Sequence, residues 1–131
     1  VTDLRTPDVP SDLPRTLGAL RASGHEHRSV KDELRDNLLA ALRAGRDPFP
    51  GVVGIEDTVR PQLERAILAG HDLVLLGERG QGKTRLLRTL VGLLDEWTPV
   101  IAGSELHEHP FEPVSVWGRR VVAEQGDDAP V

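Results

Sequence analysis

Residues 77–84 read Gly77-Glu78-Arg79-Gly80-Gln81-Gly82-Lys83-Thr84 and constrain the chain more than any other stretch. The string fits G-x-x-x-x-G-K-[ST], the pattern of a phosphate-binding loop, at every fixed position. From average residue usage, a chance match in a chain of this length is roughly a one-in-two-hundred event. The flanks supply the context that the pattern needs. Before it runs Leu73-Val74-Leu75-Leu76, a short apolar run that reads as a strand buried on both faces, as in a parallel sheet. After it, Leu86, Leu87, Leu90, Val91 and Leu94 repeat at helical spacing.

Strand, glycine loop and helix together dictate a chemistry. Glycines let the backbone turn tightly and bring N–H groups close to phosphate oxygens. The new helix points its unpaired N–H groups and positive dipole end at the same place. Lys83 is expected on the β- and γ-phosphates of ATP, and the Thr84 hydroxyl on Mg²⁺. All of residues 77–84, from Gly77 to Thr84, are candidate nucleotide contacts. The chain has 14 Arg but only two Lys, Lys31 and Lys83, so a Lys here is the less expected cation. A compact charge on a flexible stem suits a phosphate gripped inside a tight loop.

Composition narrows the alternatives. At 131 residues the chain is one domain or part of one. With no Cys there is no disulfide framework and no thiolate metal site. No long apolar run marks a membrane span or a signal peptide, so a cytoplasmic protein is expected. Met is absent and the first residue is Val, which suggests a processed product, a fragment or a start codon read literally. The Arg-rich, Lys-poor usage points to a bacterial coding sequence. Residues 95–131 hold eight acidic and two basic side chains, and the whole chain has four aromatic residues. No basic stripe with interleaved aromatics exists, so nucleic acid is not an expected partner.

In chain order, residues 1–28 read as a loose tail rich in Pro and Gly, with one short helix within 13–22. His25 and His27 form one H-x-H pair and His107 and His109 another; both are expected in exposed loops rather than on a metal. Residues 29–46 read as a helical extension. Ser29-Val30-Lys31-Asp32 is a capping box, Leu34, Leu38, Ala41 and Leu42 share a face, and Gly45 is the stop. A second helix is expected over 58–69, capped by Asp57 or Thr58, with Pro61 in its first turn and Gly70 as its end. Beyond the loop helix, Val100-Ile101 reads as a short strand, 114–122 as a small hairpin and 125–131 as a frayed end.

The segment from Pro48-Phe49-Pro50-Gly51-Val52-Val53-Gly54 through the glycine loop resembles the start of an AAA+ ATPase module, and more narrowly magnesium-chelatase subunit I and the MoxR-type ATPases. The resemblance rests on that opening, on the helix-to-strand spacing before the loop, and on the acidic-Arg pair Glu78-Arg79. It covers about residues 47–105. It implies a P-loop NTPase of the α/β class, a three-layer parallel sheet, with residues 47–131 as the N-terminal part of a truncated nucleotide-binding domain. It implies that Val52, Val53 and Gly54 line an adenine pocket, with Ile55 and Glu56 replacing the commoner Gln-Glu. It also implies ATP hydrolysis by the full module, a homo-oligomeric ring, and a chelatase or VWA-type partner subunit.

Several parts of such a module are not evident: a second strand ending in acidic residues, a sensor, an arginine finger and a lid. Asp95-Glu96 follow an apolar run and mimic the acidic strand end. They stand only one helix length past Thr84, about 16 Å at 1.5 Å per residue, and so belong at the far end of the loop helix. Two classes therefore stay open: the ATP-binding portion of a chelating or remodelling ATPase, and a nucleotide-binding or assembly protein without catalysis.

Overall fold

In the computed structural model, which describes residues 8–55, 57–80 and 82–131, the chain divides into two units. One is Arg28–Trp97; the other joins the chain up to His27 with Thr98–Val131. Among the described residues five α-helices form: α1 (Leu17–Ala22), α2 (Val30–Arg43), α3 (Val59–Ala69), α4 (Lys83–Val91) and α5 (Val116–Gln125).

In the unit Arg28–Trp97, α2 starts at the expected cap. The Ser29 hydroxyl accepts the Asp32 N–H (3.1 Å) and donates to the Asp32 carboxylate (2.7 Å), so the return bond of the box runs between side chains. α3 ends at Gly70, whose φ of 69° is the left-handed turn that glycine permits. Thr58 stands at its N-cap position but its side chain makes no cap bond. The two helices pack together. Leu38, Phe49, Leu63, Ile67, Leu86 and Leu93 form the buried core, with Leu34, Val52, Ile55, Leu75 and Leu90 packed against it. Phe49 enters this core through a local turn. Its N–H donates to Asp47 Oδ1 (3.0 Å), and the Arg60 guanidinium lies 5.7 Å from its ring centre while pairing with Asp47 and Glu64.

The expected parallel sheet is not there, and this corrects the α/β, three-layer reading. Among the described residues no β-strand occurs and a single β-bridge pairs Thr16 with Pro130. The segment around Leu73-Val74-Leu75-Leu76 carries no ladder. Val74 and Leu76 are 81% and 88% exposed, while Leu75 packs on the core. An apolar run reports a preference for burial, but a strand also needs a neighbour for its N–H and C=O groups. Val100-Ile101 is likewise no strand: Ile101 is buried and its N–H donates to the Glu108 carbonyl (3.0 Å), closing a loop.

The other unit is tied at its ends. The Leu17 N–H donates to the Ala129 carbonyl (2.9 Å), the Val131 N–H to Arg15 (3.1 Å) and the Ala102 N–H to Pro130 (3.0 Å). Residues 125–131 are therefore held, not frayed. Gly18 of α1 sits against the 3-10 turn Gly126–Asp128, where a Cβ would come within 2.9 Å of the Asp127 Cβ.

Residues 114–122 form no hairpin. They lead into α5, because the N–H groups at and just before its N-cap, and one in its first turn, find acceptors. Ser115 Oγ accepts the Gly118 N–H (2.8 Å), and the buried Glu108 carboxylate accepts the N–H groups of Val114 (2.7 Å) and Ser115 (2.8 Å). Both Glu108 oxygens are used, since Oε1 also accepts the hydroxyls of Ser115 (2.6 Å) and Ser104 (3.1 Å). The Ser115 hydroxyl and N–H bonds, with smaller help from Val114 and Ser104, hold the Glu108 carboxyl down at about 2, against an ordinary value of 4.5. A carboxyl lowered on folding stabilises the fold fully above its unfolded value and loses that contribution as pH falls through its folded one. Thermal melts are thus expected to show this unit losing stability as pH falls from 4.5 to about 2. Glu108→Gln should be less stable at neutral pH and nearly flat across that window.

Candidate functional site

The glycine loop closes on itself through its lysine. Lys83, the first residue of α4, donates from Nζ to the carbonyls of Gly77 (2.5 Å) and Glu78 (2.6 Å). Those bonds use two of the three ammonium donors and hold the charge inside the turn. Gly80 and Gly82 have φ of 82° and 76°, so both lie in the left-handed region that L side chains rarely adopt. Gly82 is the N-cap of α4 and no side chain caps that helix. The first N–H groups of α4 therefore have no side-chain cap, as an anion site requires.

Two clefts flank this loop. One, of about 710 Å³, is lined by Arg79, Gly80, Gly82, Lys83, Thr84, Arg85 and Arg88. Among the described residues its charged lining is entirely cationic. The other, of about 400 Å³, is lined mainly by Val52, Val53, Ile55, Val59, Leu75, Leu76 and Leu86. Gly80, Gly82, Lys83 and Arg85 border both. An apolar cleft thus opens beside a cationic one, with the loop between them.

The residues singled out from sequence fall as follows. Val52 and Val53 reach the apolar cleft. Gly54 makes a left-handed turn (φ 82°) after them and lines neither cleft. Arg79, Gly80, Gly82, Lys83 and Thr84 line the cationic cleft, while Gly77 and Glu78 supply the carbonyls that hold Lys83. Gln81, together with Glu56, lies outside the described residues. Arg85 and Arg88 were missed. Their spacing of three, which puts both on one face of the loop helix, was the available signal.

Asp95 has a structural occupation. Its carboxylate accepts from Arg28 (2.8 Å) and Asn37 (2.9 Å), and its N–H donates to Glu33 (2.5 Å), which ties the end of the loop helix to α2. Glu96 lines, with Asp95, a separate groove that shares Arg85 and Arg88 with the cationic cleft. Among the described residues no three His, Cys, Asp or Glu side chains converge as a metal site requires. No helix among them is long and apolar enough to cross a membrane.

No protein family matches the chain by sequence, and no solved structure is significantly similar to it. The chain is similar to the hemin import ATP-binding protein HmuV of Nocardia farcinica (strain IFM 10152), 35% identical over 117 residues. That match covers 87% of this chain and 38% of the relative, so the chain spans well under half of that protein's length. The similarity supports an ATP-binding protein of the P-loop kind and does not single out the magnesium-chelatase or MoxR type.

The loop geometry sets its own test. No described atom lies within 4 Å of a Cβ added at Gly82, so the cost of Gly82→Ala is purely one of backbone conformation. A left-handed non-glycine residue costs about 1–2 kcal/mol. Urea unfolding should give that loss for Gly82→Ala and a smaller one for Gly82→Asn, whose side chain tolerates this region.

Proposed function

We propose that this chain binds ATP at the glycine loop, with the polyphosphate in the cationic cleft and the adenosine in the apolar one. The observation that carries this is the placement of Lys83 and the uncapped start of α4 on the border between the two clefts. Lys83 exchanges its bonds to the Gly77 and Glu78 carbonyls for charge-assisted bonds to β- and γ-phosphate oxygens. The exposed N–H groups of Thr84 and its neighbours take further oxygens, and the Thr84 hydroxyl takes one position on Mg²⁺. Arg79, Arg85 and Arg88 offset the remaining phosphate charge. Val52, Val53 and Ile55 cover one face of the purine.

For the whole protein, the relative favours the ATP-binding component of an import system. The finer chelatase or MoxR reading rests on the opening at Pro48-Phe49-Pro50-Gly51-Val52-Val53-Gly54, two of whose valines reach the cleft beside Lys83. A nucleotide-dependent ring seen by sedimentation is expected of that second reading and not of the first.

Calorimetry with Mg²⁺-ATP tests the shared reading. Lys83→Ala should weaken binding by about 1.5–3 kcal/mol, or tenfold and more. Equal affinities in the two proteins would overturn the assignment. Asp95→Asn, measured alongside, should leave nucleotide affinity and its Mg²⁺ dependence nearly unchanged while lowering the melting temperature, because Asp95 serves Arg28 and Asn37.

A further inference from the structure

Three of the five histidines assemble in the unit that holds both chain ends. His25 and His27 come from the segment after α1, and His109 from the turn ahead of α5. His25 Nε2 lies 3.0 Å from His109 Nε2, and the two ring centres are 5.2 Å apart with planes 18° from parallel. Those numbers place the rings edge to edge, nitrogen facing nitrogen on nearly one line. That is the geometry of a shared proton. Two imidazoles on one metal ion would instead aim their lone pairs at a common third point.

The partners fix the tautomers. The Phe111 N–H donates to His109 Nδ1 (3.1 Å), so that nitrogen carries a lone pair. Neutral His109 then carries its proton on Nε2 and donates it to His25 Nε2. Every hydrogen position on this path is filled once. An additional proton on His25 Nε2 sets N–H against N–H and breaks the bond between the rings. An additional proton on His109 Nδ1 faces the Phe111 N–H and breaks that bond instead. Either way one hydrogen bond is lost, and two protons place two cations 3.0 Å apart.

The other titratable groups facing the pair act in a definite sense. The His27 ring centre is 4.1 Å from that of His109, and His27 Nε2 lies 3.0 Å from Glu112 Oε2. His27 opposes charge on His109. The Phe111 ring, at 5.3 Å from His109 and 5.8 Å from His25, covers both and offers no acceptor.

We propose that His25 and His109, flanked by His27 and Glu112, form a proton-operated latch that ties the chain at 25–27 to the turn at 109–112 at neutral pH and releases it in mild acid. Consistently, burial first and then His27 and His25 hold the His109 imidazole down at about 4, against an ordinary 6.5. The sign follows. A group lowered on folding is neutral in the closed form while the open form takes up its proton, so closure weakens as pH falls below 6.5 and continues to do so to about 4.

The test uses the full chain with ¹⁵N-labelled histidine and needs no variant. At pH 7, long-range ¹H–¹⁵N spectra should show His109 protonated on Nε2 and bare on Nδ1. Exchange of the Phe111 amide, corrected for its intrinsic pH dependence, should then speed up about tenfold per pH unit below 6.5, as one proton drives opening. His25→Phe, which keeps a ring but removes the acceptor, should flatten that dependence and move the His109 titration back toward the ordinary range. A His109 protonated on Nδ1 at pH 7, or a Phe111 amide equally protected at pH 7 and pH 5, would overturn the latch. So would loss of all three histidine signals on adding one equivalent of Zn²⁺ at micromolar concentration, which would make the cluster a metal site.

Discussion

The burial of Phe49 places an apolar wall beside the glycine loop. Pro48 and Pro50 restrict the backbone on either side of it, Asp47 accepts its N–H, and its ring fills the space among α2, α3 and α4. With that ring fixed, the following residues Gly51, Val52 and Val53 have to pass along the side of the loop helix. They do so closely: a Cβ on Gly51 would lie 3.1 Å from the Arg85 guanidinium. The apolar cleft therefore depends on a side chain that does not line it. Removing the Phe49 ring would act on the cleft through the core, and the cost of such a buried truncation is typically about 3–5 kcal/mol.

What could be read from the sequence was what local rules decide. Ser29 with Asp32, Gly70, and Gly82 with Lys83 each carry their meaning within a few residues, and they cap α2, end α3 and open α4. The apolar run at residues 73–76 was misread because its pattern says how much it prefers burial and nothing about a pairing partner. Residues 114–118 were misread for a different reason. Val114, Val116 and Trp117 favour strand, but the acceptor that starts a helix there is Glu108, outside any local window. Of the residues that line the two clefts, Arg79, Gly80, Gly82, Lys83, Thr84, Val52 and Val53 were singled out by the sequence. Arg85 and Arg88 needed the helix to be drawn as a surface before they joined it.

The two units use ionisable groups in opposite ways. Around Lys83 the cations Arg79, Arg85 and Arg88 gather on one cleft that no carboxylate lines among the described residues, which suits a mobile anion. Around Glu108 a single carboxylate is enclosed and satisfied by four donors from its own chain, which leaves nothing for a ligand to take. The first arrangement leaves its charges open to an anion and the second consumes its charge within the fold, although both sit at the start of a helix.

Gly118 shows what that second arrangement imposes on sequence change. A Cβ there would lie 2.6 Å from Glu108 Cδ, so the carboxylate occupies the volume that any other residue would need. The two positions are one unit of variation. A methyl group at 118 evicts the carboxylate, and a shortened side chain at 108 makes room for the methyl but strands the N–H groups of Val114 and Ser115. Neither site can drift alone without loss, and their substitutions combine non-additively. In a lineage of such chains, alanine at 118 would be reached only through a change at 108, and the order of the two steps would matter.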